Sequence, residues 1–176
     1  MRGRGLCLVL ALLLVCLGSG QGHAQVVGQV DANWQGGLRS WQVVTIERQS
    51  GPVHSGEFDP VRLGYEIAIQ AVADAAQPNQ DSISFELLLV QQEGQGSFLR
   101  AGDMLFLPQG MSGPFWSSRG NPFTLEVLYF DVWGDVGNLE AVFDGTLCHR
   151  ARLSAPVDRD NCRAINGFIS TKLYRR

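Results

Sequence analysis

Residues that could act as nucleophiles and bases are sparse in this sequence. A serine hydrolase needs its nucleophile on a tight turn, commonly in a Gly-x-Ser-x-Gly pattern. The nearest segment is GMSGP at 110–114, where Ser112 takes the nucleophile position but proline replaces the final glycine. His54 and His149 are the two histidines beyond the first 24 residues, and no local context selects either as the base of a triad. The sequence therefore predicts a protein that is not an enzyme.

Metal ligands are equally few. A zinc site needs four ligands, or three and a water, and the supply is two histidines and two cysteines that we expect to pair. Two acidic turns could offer oxygen ligands to calcium, one with Asp131 and Asp135 and one with Asp158 and Asp160. The second lacks the glycine and glutamate positions of a hand-type calcium loop. We expect solvated turns at both places, with no metal and no cofactor, and calcium stays the alternative.

Paired carboxylates could support glycoside hydrolysis if two of them shared a cleft. Glu66, Glu86 and Glu126 each occupy the polar side of an alternating segment. Such positions face solvent in a half-buried strand. We expect these carboxylates to be exposed rather than catalytic.

Aromatic residues in turn-like segments are the most promising binding groups. Phe115, Trp116 and Arg119 lie in a segment that alternation does not bury, and Trp133 precedes a glycine turn. Exposed tryptophan can stack on a sugar ring or anchor a protein partner. These four residues form the predicted binding site, whereas Trp34 and Trp41 are expected to fill the core.

The elements that would position these residues are β-strands. Apolar and polar residues alternate over 65–71 and again over 83–89, as in half-buried strands. The segments 41–47 and 124–133 are apolar on both faces, which is typical of central strands. About eight short strands separated by glycine and proline turns predict an all-β, single-domain antiparallel sandwich, with a β-barrel as the alternative.

The amino terminus resembles a secretory signal peptide. Arg2 and Arg4 precede an apolar run of about a dozen residues, shorter than the roughly 20 that span a bilayer. Cleavage after Ala24 would leave one β domain over 25–176, periplasmic or secreted and without a transmembrane anchor. A lipid anchor at Cys16 is disfavoured because Val15 precedes it, where lipoprotein sites have a small residue.

Export removes two of the four cysteines and leaves Cys148 and Cys162, which we expect to form a disulfide in an oxidising compartment. If these cysteines lie directly opposite each other, the register of the last two strands follows. Phe143 then faces Gly167, and Gly145 faces Ile165. Large residues opposite glycines fill space in a complementary way and fix a register.

Charge excludes one class of partner. The chain has 14 lysines and arginines against 17 aspartates and glutamates, and Arg2 and Arg4 would leave with the signal peptide. A mildly acidic surface without a basic cluster argues against binding nucleic acid or anionic lipid through charge.

The two ends of the chain resemble small bacterial exported envelope proteins of unknown function. The resemblance rests on the segment from Gly28 to Ala32, a Gly36-Gly37 turn followed by Trp41, and the endings Gly145-Thr146 and Gly167-Phe168. It implies a β-sandwich and an envelope location, and it carries over no catalytic residue.

Together these observations predict an exported, non-catalytic binding protein that meets a protein partner through a loop end or an exposed edge strand. One alternative is a carbohydrate-binding module that uses Trp116 and Trp133. The other is a barrel that carries an apolar ligand, which the apolar segment 104–107 would permit.

Overall fold

The computed structural model describes residues 24–77, 80–92, 94 and 96–176. The predicted signal peptide, with Cys7 and Cys16, lies outside these residues except for Ala24, which begins the first strand. No helix in the described part of the chain is long and apolar enough to cross a membrane. A single turn of 3-10 helix at Gly110–Ser112 interrupts a succession of strands.

Eleven strands form within the described residues. They are β1 (Ala24–Trp34), β2 (Gly37–Arg48), β3 (Gly51–His54), β4 (Gly56–Val61), β5 (Gly64–Val72), β6 (Ser82–Gln92), β7 (Gly96–Leu107), β8 (Phe115–Ser117), β9 (Phe123–Trp133), β10 (Val136–Arg150) and β11 (Asp158–Arg175). The predicted all-β class is confirmed, but the predicted number of about eight strands is wrong. The predicted number of strands is too low because β3 and β8 have four and three residues, too few for an alternating pattern to be recognised.

The strands form one sheet in the order β3-β2-β1-β11-β4-β5-β6-β7-β8-β10-β9, with further pairings of β2 with β5 and of β10 with β11. Every pairing is antiparallel except that of β11 with β4. Tight hairpin turns join several neighbours, and β9 and β10 are linked by Gly134 and Asp135 alone. Gly134 has φ of +63°, which fits the first central position of a type II′ turn.

The register of β10 and β11 is the predicted one. Cys148 lies opposite Cys162, and the two form a disulfide. Phe143 is paired with Gly167 and Gly145 with Ile165. The predicted disulfide and register are therefore both confirmed.

One continuous hydrophobic core lies between strands distant in the sequence. Its ring contacts cross the molecule: Phe85 of β6 meets Phe143 of β10 at 5.1 Å between centroids, and Trp34 of β1 meets Phe106 of β7 at 5.3 Å. The prediction that 41–47 is a central strand holds, because Val43, Val44 and Thr45 are buried in succession.

The prediction that 124–133 is also central is wrong. Among the described residues, β9 pairs with β10 alone and ends the sheet. The apolar residues on its outer side are therefore exposed at an edge rather than covered by a second layer. The opposite edge is β3, which is short and carries Pro52. A proline and a short length are features that protect an edge strand from further pairing.

Candidate functional site

The four predicted aromatic-site residues lie in different environments. Phe115 is buried with 4% exposure, and Trp116 packs edge-on against Trp34 and His149 at 5.1 and 5.5 Å. Arg119 is exposed, and its Nε lies 3.3 Å from a carboxylate oxygen of Asp103. Trp133, by contrast, is 87% exposed.

These residues do not form one surface. Trp116 pairs with His149 near the end of β10, and Trp133 pairs with Val136 at its start. At about 3.3 Å per residue, these two positions are separated by roughly 40 Å of strand along β10. A binding platform that uses both therefore has no geometric support.

Trp116 belongs to an aromatic cluster that closes one end of the core. Trp41, fully buried, donates its indole N–H to Asp81 Oδ1 at 2.8 Å. Arg39 Nη1 contacts Asp81 Oδ2, also at 2.8 Å, and the guanidinium lies 5.4 Å from the ring centre of Phe106. Because the polar groups of Trp41, Arg39 and Asp81 are partnered with one another, these contacts stabilise this end of the core.

The groups considered for catalysis remain apart. Ser112 lies in the 3-10 turn. The ring of His54 stacks on Tyr174 at 3.8 Å, with its Nδ1 3.0 Å from Thr45 Oγ1, and His149 packs on Trp116. No hydrogen bond in the described part of the chain joins Ser112 to either histidine, so these residues do not form a triad.

The acidic turns have local hydrogen-bond and ion-pair partners. Asp135 lies 3.6 Å from Arg175, and Asp158 accepts the backbone N–H of Asp160 at 3.2 Å. Tyr129 donates its hydroxyl to Asp131 at 3.4 Å. Over the described residues, no group of three or more histidine, cysteine or acidic side chains could hold a metal ion.

The free edge of β9 is the most distinctive surface of the molecule. A bulge interrupts its pairing with β10, since Tyr129 faces Glu140 while Val127 faces Ala141. The extra residue, Leu128, is 54% exposed, and Tyr129 beside it is 49% exposed. A bulge of this kind re-aims side chains at a sheet edge, and here it turns an apolar residue to solvent.

Backbone groups on this edge are available for further pairing. Trp133 and Val136 are the closing pair of a two-residue hairpin, and the closing pair of such a hairpin is a hydrogen-bonded pair. Because hydrogen-bonded and non-bonded pairs alternate, the peptide groups of Phe130 and Val132 point away from β10. Such a row of unpaired N–H and C=O groups is a template for another strand.

A groove runs beside this edge. It has a volume of about 760 Å³, with Val127 to Phe130 of β9 on one side and Gln91, Gln92, Gly94, Gly96 and Ser97 at the end of the β6–β7 hairpin on the other. The edge strand is therefore accessible from a concave surface.

The exposed charged side chains on β9 and β10 are acidic. Residues 123–149 include no lysine or arginine, and the exposed face of β9 and β10 carries Glu126, Asp131, Glu140 and Asp144. None of these four carboxylates forms an ion pair with another described residue, because all ion pairs among the described residues involve other acidic side chains.

A second acidic area is neutralised within the protein. Arg176 contacts Glu57 at 3.0 Å and Asp59 at 3.2 Å. The hydrogen bond to Glu57, more than any other interaction, raises the pKa of the Arg176 guanidinium above its ordinary value. The four acids on β9 and β10 have no such cationic partner among the described residues.

Leu128 and Tyr129 cannot be recognised as exposed from the sequence. Apolar residues on both faces of 124–133 predict burial on both sides instead. A bulge has no signature in the alternation itself, and the absence of a second neighbour for β9 depends on distant pairings.

No known protein family, curated protein or solved structure matches this chain.

Proposed function

We propose that this is an exported protein that acts by binding, without a cofactor, and that its partner is a protein which adds an extended segment to the free edge of β9. The observation that carries the proposal is the one-sided pairing of an eleven-residue strand with exposed apolar side chains. In strand addition, main-chain hydrogen bonds supply affinity and alternate side chains supply specificity.

Export is part of the proposal. Its support is the signal-like amino terminus together with the disulfide between Cys148 and Cys162, since disulfides persist in oxidising compartments. The periplasm or the cell exterior is therefore where we expect the partner.

We further propose that the sheet folds over itself as a sandwich rather than a barrel. One layer would comprise β3, β2, β1, β11, β10 and β9, and the other β4 to β8. The missing hydrogen bonds between β7 and β9 in the described structure favour an open side. The ring contacts between Phe85 and Phe143 fill the interior, which favours recognition at the surface over carriage of an apolar ligand.

A carbohydrate-binding function is the second candidate, and the exposure of Trp133 supports it. A sugar ring stacked on this indole would quench or shift its fluorescence. Titration with polysaccharides, compared between the protein and Trp133→Ala, separates the two candidates, because strand addition predicts no saccharide response.

Site-specific photo-crosslinking in the native cells tests strand addition. A benzophenone amino acid replaces Leu128 in one variant and Leu38 in the control, an exposed leucine in β2. We expect one protein adduct from position 128, absent from position 38, with the crosslinked partner peptide identified by mass spectrometry.

The proposal also predicts that Val132→Pro, which removes an outward backbone N–H from the edge, abolishes this adduct. Circular dichroism of the purified variant checks that the sheet is retained. Equal adducts from positions 38 and 128, or an adduct that survives Val132→Pro in a folded protein, would overturn strand addition at β9.

A further inference from the structure

We propose that the segment added to β9 alternates apolar side chains with lysine or arginine. This inference rests on the proposed function and goes further by naming the chemistry of the partner. It follows from the pleat of the sheet, the charge on its outer face and the position of the bulge.

The pleat determines which partner side chains face the core. Phe130 and Val132 direct their side chains inward, and the ring of Phe130 lies 5.1 Å from that of Tyr65. Residues that lie directly opposite each other on neighbouring strands point to the same face of the sheet. Partner residues opposite Phe130 and Val132 would therefore extend the apolar interior at its open side, which favours apolar side chains there.

The intervening partner residues would lie on the outer face. There they would adjoin Asp131 and Tyr129, with Glu140 in the next strand and Glu126 beyond the bulge. Among the described cations on β11, Lys172 is paired in register with Asn138, and Arg175 lies 3.6 Å from Asp135. Opposite charges on neighbouring strands stabilise a sheet, and like charges destabilise it. Lysine or arginine at these positions complements the acidic face.

The same charges disfavour a second copy as the occupant. Pairing β9 with β9 of another molecule would bring the two acidic faces together.

The bulge also limits the length of the added segment, because regular pairing of β9 extends only from Tyr129 to Trp133. The geometry thus points to a contact segment of about five or six residues.

Two synthetic peptides of about eight residues test the inference. Both have valine at alternate positions, and the others are lysine in one peptide and glutamate in the other. The ¹⁵N-labelled protein, exported and purified from cells that express the full chain, is titrated with each, and the amide shifts are mapped. We expect the lysine peptide alone to shift the amides of β9, with affinity that falls as sodium chloride is added.

Charge reversal provides the matched comparison. Asp131→Lys combined with Glu126→Lys should weaken the lysine peptide by roughly tenfold or more and should allow the glutamate peptide to bind. Glu47→Lys, at an exposed strand position on β2, should change neither titration.

The outcomes separate the two proposals. Equal binding of both peptides that is lost in Val132→Pro would overturn the charge pattern and leave strand addition standing. Failure of both peptides to shift β9 would overturn strand addition and the inference with it. Concentration-dependent self-association that Val132→Pro abolishes, measured by sedimentation, would overturn the inference by making a second copy the occupant.

Discussion

The ring of Phe143 occupies the space that a side chain at position 167 would need. The two residues lie directly opposite each other on β10 and β11. The Phe143 Cζ atom is 2.7 Å from where a Cβ at position 167 would stand, and the carbonyl oxygen of Asp31 closes in from the neighbouring strand. Gly167 is therefore required by packing from two sides.

Gly167→Ala should destabilise the protein by about 1–3 kcal/mol, because neither a backbone carbonyl nor a packed ring can withdraw without strain. Chemical denaturation measures the change. Gly37→Ala is the control, since its added Cβ would meet only the Trp34 carbonyl at 3.7 Å. Equal stability of the two variants would contradict this packing argument.

Replacing both cysteines, Cys148→Ser with Cys162→Ser, should lower the thermal midpoint. The disulfide closes a loop across a sequence separation of 14, which by chain entropy contributes about 3 kcal/mol. Differential scanning calorimetry of the double variant, beside wild type with and without reductant, makes the comparison. An unchanged midpoint in the double variant would mean that the bridge does not stabilise the fold.

Two substitutions at Asp81 should differ in cost. Asp81→Asn keeps an acceptor for the Trp41 indole and loses the partly exposed ion pair with Arg39, worth about 0–1 kcal/mol. Asp81→Leu leaves the buried Trp41 N–H without a partner, which adds about 1–3 kcal/mol. Urea unfolding ranks the two, and equal losses would show that the indole hydrogen bond contributes nothing.

Truncation of Trp116 and of Trp133 should affect stability to different extents. Trp116→Ala removes a ring packed on Trp34 and should cost about 3 kcal/mol, whereas Trp133→Ala should leave stability nearly unchanged because its side chain is exposed. Thermal unfolding checks the first, and acrylamide quenching checks that Trp133 is the accessible fluorophore. A larger loss in Trp133→Ala would contradict their placement.

Local patterns predicted what depends on neighbouring residues. Alternation located β5 and β6, and two cysteines combined with glycines opposite large side chains predicted the register of β10 and β11. Both signals are physical constraints that operate within a strand pair, so a single sequence contains them.

The role of β9 was not predictable in this way. Apolar residues on both faces are compatible with a strand between two layers and equally with an edge that a partner covers. Which of these applies depends on whether β7 bonds to β9, a relationship between segments that share no local signal. Trp116 illustrates the same limit, because its burial depends on Trp34 and His149, both distant in the sequence.

The two edges of the sheet differ in a way that bears on stoichiometry. β3 is short and contains proline, while β9 is long and open. A protein with two receptive edges could polymerise, as a bifunctional monomer does. Under the proposed strand addition, this protein would be monofunctional: adding a strand to β9 would end growth, and the expected complex contains one partner for each molecule.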